Sequence, residues 1–371
     1  MTIDMLFTLI SIIIIISYPI TLVLYSKNKL NLNKKQIYIL SGILVLSLSY
    51  FSTKLIPGHS FDLSVYYRIY DRYQITHELG MEFSNNVILF KLILLLLCNL
   101  PSKEFIQFII IFLTYTMIFI CFYFLYYANK NRDNSKTMIL SLIMQETLMS
   151  FAYIYSGGRN QIAFGLLALS LILYYFYRNK KTLLYSLVLG ISSFLIHDSS
   201  IIIIGLFIIS FIPVIKKKYY LVIGWGLLIP IILFLFNNIE LGVISPLIEK
   251  LSIYVDNAMN TLDLRVAVIN TIVTFLLLFT IRNNPIKDNN LHIFLSIVLA
   301  FTLGAVIIPE IQRRMLYFIS YFSPVFIDSI ITIKNRKLRM SIYGMCFIIV
   351  VGLGLYHFVN LKANGILLNL F

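Results

Sequence analysis

Long apolar runs separated by short polar segments recur from one end of this chain to the other. About 20 apolar residues suffice for a membrane-spanning helix, and in lipid a helix satisfies its own backbone hydrogen bonds. Of the 371 residues, 59% are hydrophobic and only 12% are charged, whereas soluble domains carry about 25% charged residues. The pattern predicts an all-α integral membrane protein and excludes soluble enzymes, secreted disulfide scaffolds and soluble DNA-binding folds.

About twelve of these runs are predicted to cross the membrane. In chain order they are Met5–Tyr25, Ile37–Leu55, Phe105–Tyr127, Thr137–Tyr155, Gln161–Tyr177, Leu183–Ile196, Ser200–Ile215, Tyr219–Phe236, Leu264–Ile281, Leu291–Ile308, Met315–Ile333 and Met340–Val359. A further run, Val87–Leu100, is short and contains Lys91, so it is predicted to form a re-entrant or interfacial helix. No internal repeat or linker is evident, and residues 1–371 are expected to form a single polytopic membrane domain.

The distribution of positive charge predicts the orientation. If Met1 lies outside and the short helix does not cross, the inner loops hold 19 of the 30 Lys and Arg residues and two acidic residues. The rest of the chain then holds 11 basic and 14 acidic residues. Cytoplasmic loops are enriched in Lys and Arg, so both termini, and the loops 56–86 and 237–263, are predicted to lie outside. The inner loops, with their 19 basic and two acidic residues, account for the net charge of +14, so no nucleic-acid partner is expected.

Polar and aromatic residues recur at helical spacing in the first external loop. Asp62, Tyr66, Tyr70 and Tyr73 are three or four residues apart, so a helix would present them on one face. One interpretation is an interfacial amphipathic helix with an aromatic belt. The other is a lid over a polar site, because aromatic faces stack against sugars and a carboxylate accepts hydroxyl protons.

A second polar segment, Ser156–Gln161, interrupts two apolar runs at the predicted outer face. Its paired glycines allow a tight turn and a close backbone approach. Arg159 and Gln161 are predicted at the N-terminus of the next helix, where free N–H groups and the helix dipole favour an anion. A cation there is unfavourable for an isolated helix, so Arg159 is expected to have a partner. The alternative is an interfacial arginine whose stem lies along the apolar surface.

A third polar segment contains His197 and Asp198. The 33 residues from Leu183 to Ile215 supply about 50 Å of helix, while two crossings need about 60 Å. The turn between the crossings is therefore expected below the outer surface, where ionisable groups usually face a functional cavity. Histidine suits proton transfer near neutral pH. Alternatively, His197 caps the helix turn, and under either interpretation Asp198 is compatible with an N-cap.

Adjacent arginines in the segment Pro309–Arg314 oppose the positive-inside tendency. A guanidinium offers phosphate oxygens a planar pair of donors and stays charged, so Arg313 and Arg314 are predicted to bind a ligand. Arg265, at the outer start of another helix, is expected either to join them or to pair with Asp263. The sequence contains no metal-binding or nucleotide-binding motif, and no metal or other cofactor is expected.

The order of these polar segments is distinctive. An Asp precedes a Tyr by four residues, an Arg precedes an Ala by four, a His follows one helix later, and paired arginines precede Tyr-Phe. The residues concerned are Asp62, Tyr66, Arg159, Ala163, His197, Arg313, Arg314, Tyr317 and Phe318. In this order the chain resembles the EpsG/Wzy-type polysaccharide polymerases over most of its length. The family often has Arg-Gln adjacent, whereas here Asn160 separates Arg159 from Gln161.

The resemblance implies a GT-C-like multispanning glycosyltransferase of the bacterial cytoplasmic membrane. Such a polymerase of lipid-linked repeat units transfers the growing glycan (O-antigen, capsule or exopolysaccharide) from undecaprenyl pyrophosphate to the terminal sugar of an incoming unit. The reaction is expected at the outer face, towards the periplasm or exterior. The expected partners are the lipid-linked oligosaccharide and the bilayer, with a flippase and a chain-length regulator as further partners.

The site residues are expected to divide into two roles. The catalytic candidates are His197 as the base, Asp62 as the second candidate for the base, and Arg159 as a stabiliser of developing negative charge. The candidates for substrate binding are Arg313, Arg314, Tyr66, Gln161, Asp198 and Arg265. One base and one leaving-group site favour metal-independent displacement with inversion.

Two alternative functions fit a site rich in arginine. One is a flippase or transporter of lipid-linked repeat units, and the other is an O-antigen ligase-like lipid-sugar transferase. A transporter would be expected to carry charges deep in the bundle and often an internal repeat. The predicted polar segments instead collect at one face, which favours chemistry over transport.

Overall fold

The computed structural model describes most of the chain. The described residues are 3–26, 34–56, 62–79, 87–128, 134–149, 154, 157–177, 179–227, 264–282, 290–342, 344–345 and 367–368. The predicted external loop 237–263 lies outside them, as do parts of the predicted spans Tyr219–Phe236 and Met340–Val359.

Helices dominate the described residues. In chain order they are α1 (Ile3–Ser26), α2 (Lys34–Ser52), α3 (Asp62–Thr76), α4 (Ile88–Cys98), α5 (Glu104–Ala128), α6 (Asn134–Leu148), α7 (Gly158–Phe176), α8 (Lys180–Ile196), α9 (Ser200–Ile209), α10 (Pro213–Lys217), α11 (Leu264–Arg282), α12 (Asn290–Gly304), α13 (Pro309–Ser320) and α14 (Ser323–Ile331). Residues 221–227 are also helical, and Ala305–Ile307 form a 3₁₀ turn. Two short strands, β1 (Leu55–Ile56) and β2 (Leu367–Leu368), pair antiparallel.

Several helices have the length and apolar character of membrane spans. Among the described residues, Lys35–Ser52, Glu104–Tyr126 and Gly158–Phe176 meet both requirements. A fourth span results if α13 and α14, which are bent by 74°, are counted together. The described part of the chain is therefore helical, and three or four of its segments are long and apolar enough to cross a membrane. The total of twelve spans stays a prediction.

Two predicted spans are interrupted in the structure. The unbroken helix expected over Met315–Ile333 is instead α13 and α14, and Pro324 near the start of α14 has no N–H with which to continue a helix. The helix expected over Ser200–Ile215 ends at Ile209, and α10 begins at Pro213. By contrast, the predicted short helix at Val87–Leu100 is present as α4.

Large apolar side chains cover the exposed faces of α1 and α8. On these two helices they include Leu6, Phe7, Ile13, Ile16, Leu184, Tyr185, Leu187 and Val188. Soluble monomers rarely expose contiguous apolar patches of this kind. These faces are suited to lipid, as the composition predicts.

The chain divides into two compact units. The first comprises Met1–His197, Tyr321–Pro324 and Val350–Phe371, and the second comprises Asp198–Ser320 and Val325–Ile349. One boundary between the units therefore lies at the peptide bond that joins His197 to Asp198. The expected single polytopic domain stays a prediction.

In the first unit, small residues hold α7 against α8. The hydroxyl of Ser170 donates to the carbonyl of Ser186 (2.7 Å), and the hydroxyl of Ser186 donates to the carbonyl of Ser170 (2.8 Å). Towards the start of α7 and the end of α8, the Ser193 hydroxyl donates to the carbonyl of Ala163 (2.7 Å). Small residues with interhelical hydrogen bonds are typical of helix packing in membranes.

In the second unit, two glycines allow backbone contact between the 221–227 helix and α12. A Cβ atom added at Gly304 would lie 2.1 Å from the carbonyl oxygen of Ile223. A Cβ atom added at Gly226 would lie 2.7 Å from the carbonyl oxygen of Phe301. Neither position accommodates a side chain without separating the two helices.

Candidate functional site

The register of the α7–α8 pair places two predicted catalytic residues at the same end. The contacts that join Ser170 to Ser186 and Ala163 to Ser193 are seven residues apart on both helices. Arg159 precedes Ala163 by four residues, and His197 follows Ser193 by four. In this antiparallel register, Arg159 and His197 therefore occupy corresponding positions at one end of the helix pair. His197 is 1% exposed and follows the last residue of α8, and its backbone N–H donates to the carbonyl of Ser193 at 3.0 Å.

The backbone around Arg159 is fixed by the preceding glycines. Gly157 is the N-cap of α7, and its carbonyl accepts the N–H of Asn160 at 3.1 Å. A Cβ atom added at Gly158 would lie 2.0 Å from a methyl carbon of Ile110. Glycine is thus required here for the start of α7 to approach α5, as the paired glycines suggest.

Arg159 belongs to a group that we call the Arg159 cluster, formed by Asp62, Tyr66, Phe90 and Arg159. The guanidinium carbon of Arg159 lies 5.5 Å from the centre of the Phe90 ring, within the range of a cation–π interaction. The rings of Tyr66 and Phe90 are 5.3 Å apart between centres. The structure thereby brings Asp62 and Tyr66 together with Arg159, a predicted site residue that is distant from them in the sequence.

Electrostatics within the cluster keep the Tyr66 hydroxyl protonated. Burial raises the pKa of Tyr66 above its usual value of 10.0, nearby Asp62 raises this pKa further, and Arg159 acts in the opposite direction. Desolvation disfavours a phenolate more than one arginine favours it. Tyr66 is therefore a hydrogen-bond donor over the neutral pH range.

The helix α3 that carries Asp62 and Tyr66 is docked against the end of α4. The Tyr70 hydroxyl donates to the carbonyl of Leu100 at 2.8 Å, and the Gln74 side chain donates to the carbonyl of Cys98 at 2.7 Å. Tyr66 and Tyr70 are buried. Part of the predicted aromatic stripe therefore packs inside the protein, where these rings are not displayed as a stacking face.

Two other predicted residues lie in the second unit, in a group that we call the arginine turn, formed by Ser199, Glu310, Arg313 and Arg314. Arg313 forms a close ion pair with one oxygen of Glu310, and Arg314 Nε donates to the other oxygen at 2.8 Å. Arg314 Nη1 also donates to Ser199 Oγ at 3.0 Å. The side chains of Arg313 and Arg314 are 35% and 13% exposed, so Arg313 is the more accessible.

The start of α13 determines this arrangement. Pro309 is the first residue of α13 and Glu310 lies in its first turn, where proline and a negative charge are both favoured. On the buried side, the Gln312 amide donates to the carbonyl of Thr302 at 3.1 Å and to the Thr271 hydroxyl at 3.2 Å. Gln312 therefore anchors the turn from which Arg313 projects.

Asp198 is buried, but the expected N-cap is occupied by its neighbour. Ser199 is the N-cap of α9, with helical backbone angles and no side-chain capping bond. The Ser199 hydroxyl accepts a bond from Arg314 instead. A charge-assisted hydrogen bond of this kind is roughly twice as strong as a neutral one, which explains why the serine side chain is not used as a cap.

Of the two remaining predicted substrate-binding residues, Gln161 contributes a packing contact, and Arg265 is described by its backbone alone. Gln161 is buried in the first turns of α7, and its carbonyl accepts the Tyr321 hydroxyl at 2.7 Å. The Arg265 backbone lies in α11, while its side chain and the whole of Asp263 lie outside the described residues. Over the described part of the chain, no three His, Cys, Asp or Glu residues are grouped to hold a metal ion.

Phe90, Ser199 and Glu310 are not among the site residues predicted from the sequence. Glu310 precedes the arginines by three and four residues, the spacing at which helical side chains form ion pairs. That spacing could have identified it. Phe90 and Ser199 carry no such signal, because their contacts are to Arg159 and Arg314, far away in the sequence.

Comparison with known proteins assigns the chain to a family. No curated protein and no solved structure matches it. The EpsG family model matches residues 38–369, a range that includes both the Arg159 cluster and the arginine turn. The chain therefore belongs to the EpsG family, and its role is of the polysaccharide-polymerase type.

Proposed function

We propose that this protein joins lipid-linked oligosaccharide repeat units at the outer face of the bacterial cytoplasmic membrane. The growing glycan is transferred from undecaprenyl pyrophosphate to the terminal sugar of an incoming repeat unit. The observation that carries this proposal is the arginine turn, where two guanidinium groups are held on one helical turn of an EpsG-family chain.

The arginine turn suits the leaving group. In the reaction, the bond between the anomeric carbon and the pyrophosphate oxygen breaks, and the acceptor oxygen forms a new bond to that carbon. Undecaprenyl pyrophosphate departs with the bonding electrons, so negative charge grows on its phosphates. Fixed cations stabilise such charge, and removal of one charge stabiliser typically costs about 10²–10³ in rate.

The acceptor hydroxyl must lose its proton to a base. We assign this role to His197, with Asp62 as the second candidate. His197 is buried and Asp62 is half-buried, so catalysis by His197 requires local opening near the end of α8. Arg159, held over Phe90, supplies a further fixed cation, while Tyr66 supplies a donor. A single displacement without a metal ion inverts the anomeric configuration.

The proposed topology places this chemistry at the outer face of the cytoplasmic membrane, towards the periplasm or exterior. Twelve spans, outer termini and a GT-C-like architecture give both arginine-containing segments the same external orientation. Repeat units would be delivered by a flippase, and product length would be controlled by a chain-length regulator.

The decisive experiment supplies the purified full-length protein in lipid nanodiscs with one lipid-linked repeat unit. The proposal requires a ladder of glycan lengths and inverted linkages in the product. In cells, loss of the protein should leave single repeat units outside. Accumulation of inward-facing lipid-linked units, with no ladder in vitro, would instead identify a flippase. Transfer of glycan only to a different lipid acceptor would identify a ligase.

A further inference from the structure

One face of α3 leads from the Arg159 cluster to the surface of the protein. Asp62, Tyr66 and Tyr73 are four and seven residues apart, so they lie on the same face of the helix. Tyr66 is 1% exposed, Tyr73 is half-buried, and His77 just beyond the end of α3 is exposed. Of the predicted aromatic stripe, Tyr73 is therefore the ring that a ligand can reach.

Tyr73 and His77 form an aromatic pair at this surface. Their ring centres are 5.9 Å apart and the ring planes are perpendicular, at 90°. The edge of one ring therefore meets the face of the other. Over the described part of the chain, neither side chain takes part in a hydrogen bond. The pair leaves ring surface, the phenol hydroxyl and the imidazole nitrogens available to a ligand.

The backbone conformation of His77 is one that side chains with a Cβ atom disfavour. Its φ is 56°, in the left-handed region, and its N–H donates to the carbonyl of Tyr73 at 2.9 Å. Helices often end on a residue in this conformation, but that residue is usually glycine. Because His77 is exposed, burial of its ring does not offset the cost. A task for the ring explains a histidine at this position.

The last turns of α3 hold the pair on a fixed element. Directly after Tyr73, the Gln74 side chain donates to the carbonyl of Cys98 at 2.7 Å. One turn earlier, the Tyr70 hydroxyl donates to the carbonyl of Leu100 at 2.8 Å. Both contacts join α3 to the end of α4. The pair is thus presented by an anchored helix end, as a precise binding site requires.

We propose that Tyr73 and His77 form a subsite for a sugar ring of the lipid-linked glycan, beyond the sugar that reacts. Tyr73 follows Tyr66 by two helical turns, about 10 Å along α3, which is further than one pyranose ring extends. The C–H groups on one face of a pyranose pack against an aromatic ring, and its hydroxyls bond to the phenol and the imidazole. The inference rests on the proposed function, because it takes the repeat-unit glycan as the ligand.

The test measures initial rates of ladder formation by the full-length protein in lipid nanodiscs, over a range of concentrations of the lipid-linked repeat unit. Tyr73→Ala removes the ring, and Tyr73→Phe keeps the ring without its hydroxyl. Ile75→Ala is the matched control, because Ile75 lies in the same last turn of α3, is 82% exposed and carries no ring.

We expect Tyr73→Ala to raise KM by about 3- to 10-fold, the scale of one aromatic contact. The value of kcat should be unchanged, since a contact made equally in the ground state and the transition state affects KM alone. Tyr73→Phe should recover most of the affinity, and Ile75→Ala should have the wild-type KM. A Tyr73→Ala enzyme with the KM of the control, or with a lower kcat and an unchanged KM, would overturn the inference.

His77→Gly separates the ring from the backbone. Glycine adopts a positive φ without steric cost, so this variant should unfold at a temperature no lower than that of the wild type. Its KM should nevertheless rise in the same direction as that of Tyr73→Ala. A wild-type KM in His77→Gly would mean that His77 only ends the helix, and the paired subsite would be wrong.

Direct binding covers the case in which Tyr73→Ala does not fold. The probe is the repeat-unit oligosaccharide released from its lipid carrier, and Tyr73→Leu keeps apolar bulk without a ring. Saturation transfer from the protein to the sugar C–H protons should be weaker for Tyr73→Leu than for the wild type, and equal transfer would contradict the subsite. If the wild type makes no ladder, the proposed function fails and the subsite fails with it. If it makes a ladder and the Tyr73 variants match Ile75→Ala, only the subsite fails.

Discussion

Individual side chains at the start of α13 have different tasks despite their similar chemistry. Arg313 is the more accessible of the two and pairs with Glu310, whereas Arg314 is held by both Glu310 and Ser199. This difference follows from their positions on one helical turn. Substrate contact is therefore expected mainly from Arg313, and Arg314 is expected to maintain the geometry.

At the residue scale, we expect Arg313→Ala to reduce ladder formation by about 10²–10³, since a charge stabiliser is lost. Arg313→Lys should recover only part of the activity, because an ammonium lacks the planar pair of donors. Arg282→Ala, which removes an arginine stacked on Tyr219, is the matched control and should retain the ladder. The measurement is the initial rate with a defined lipid-linked unit. An Arg313→Ala enzyme as fast as the control would remove Arg313 from the site.

A second prediction at this scale separates the Tyr66 hydroxyl from its ring. Tyr66→Phe keeps the ring contact with Phe90 and should preserve thermal stability within a few degrees while lowering the polymerisation rate. Because burial raises the pKa of Tyr66, no tyrosine ionisation should appear in the activity profile between about pH 6 and 9. Tyr70→Phe is the control, since it loses only the bond to the Leu100 carbonyl. Equal activities of the two variants would leave Tyr66 with a packing role.

At the scale of elements, the α7–α8 contact sets the register between Arg159 and His197. Ser193→Leu should force the helices apart, because Ser193 is fully buried and its hydroxyl contacts the Ala163 carbonyl. Activity should fall sharply even though no residue of the proposed chemistry is altered. Ser193→Ala removes the interhelical hydrogen bond to the Ala163 carbonyl, worth roughly 0.6 kcal/mol, and should stay active. Val188→Leu on the exposed face of α8 serves as the size control, and a loss as large as that of Ser193→Leu would contradict the register argument.

The glycine contact in the second unit yields an element-scale prediction for stability. Gly304→Ala places a methyl group against the carbonyl of Ile223, so we expect destabilisation by about 1–3 kcal/mol, as in overpacked cores. Gly205→Ala is the matched helical control, with no atom within 4 Å of the added methyl group. Thermal unfolding in detergent should separate the two variants. Equal midpoints would show that the helices do not touch at Gly304.

At the scale of the whole molecule, orientation is the property that the function most depends on. The proposed topology exposes residues 157–159 and 310–314 to the exterior. Single cysteines introduced in place of Arg159 and of Arg313 should react with a membrane-impermeant maleimide in intact cells, and a cysteine in the loop 334–339 should react only after lysis. Labelling of all three positions solely after lysis would place the arginines on the cytosolic side and would end the proposed function.

The sequence by itself determines the class of the molecule and much of its local structure. Composition requires a membrane protein, and Pro309 marks the observed start of α13. The spacing of Glu310, Arg313 and Arg314 would also have predicted their ion pairs, because these contacts lie within one helix. Local contacts of this kind depend on helical periodicity alone.

Only the tertiary structure decides which distant segments meet. Ser199 and Arg314 are separated by 115 positions, and Arg159 stacks on Phe90 from another helix. Helix packing also buries Tyr66 and Tyr70. Helical periodicity predicts that both lie on one face of α3, but it does not determine which element covers that face. The physical reason is that helical periodicity determines the face on which a residue lies, whereas its partner depends on how separate helices pack.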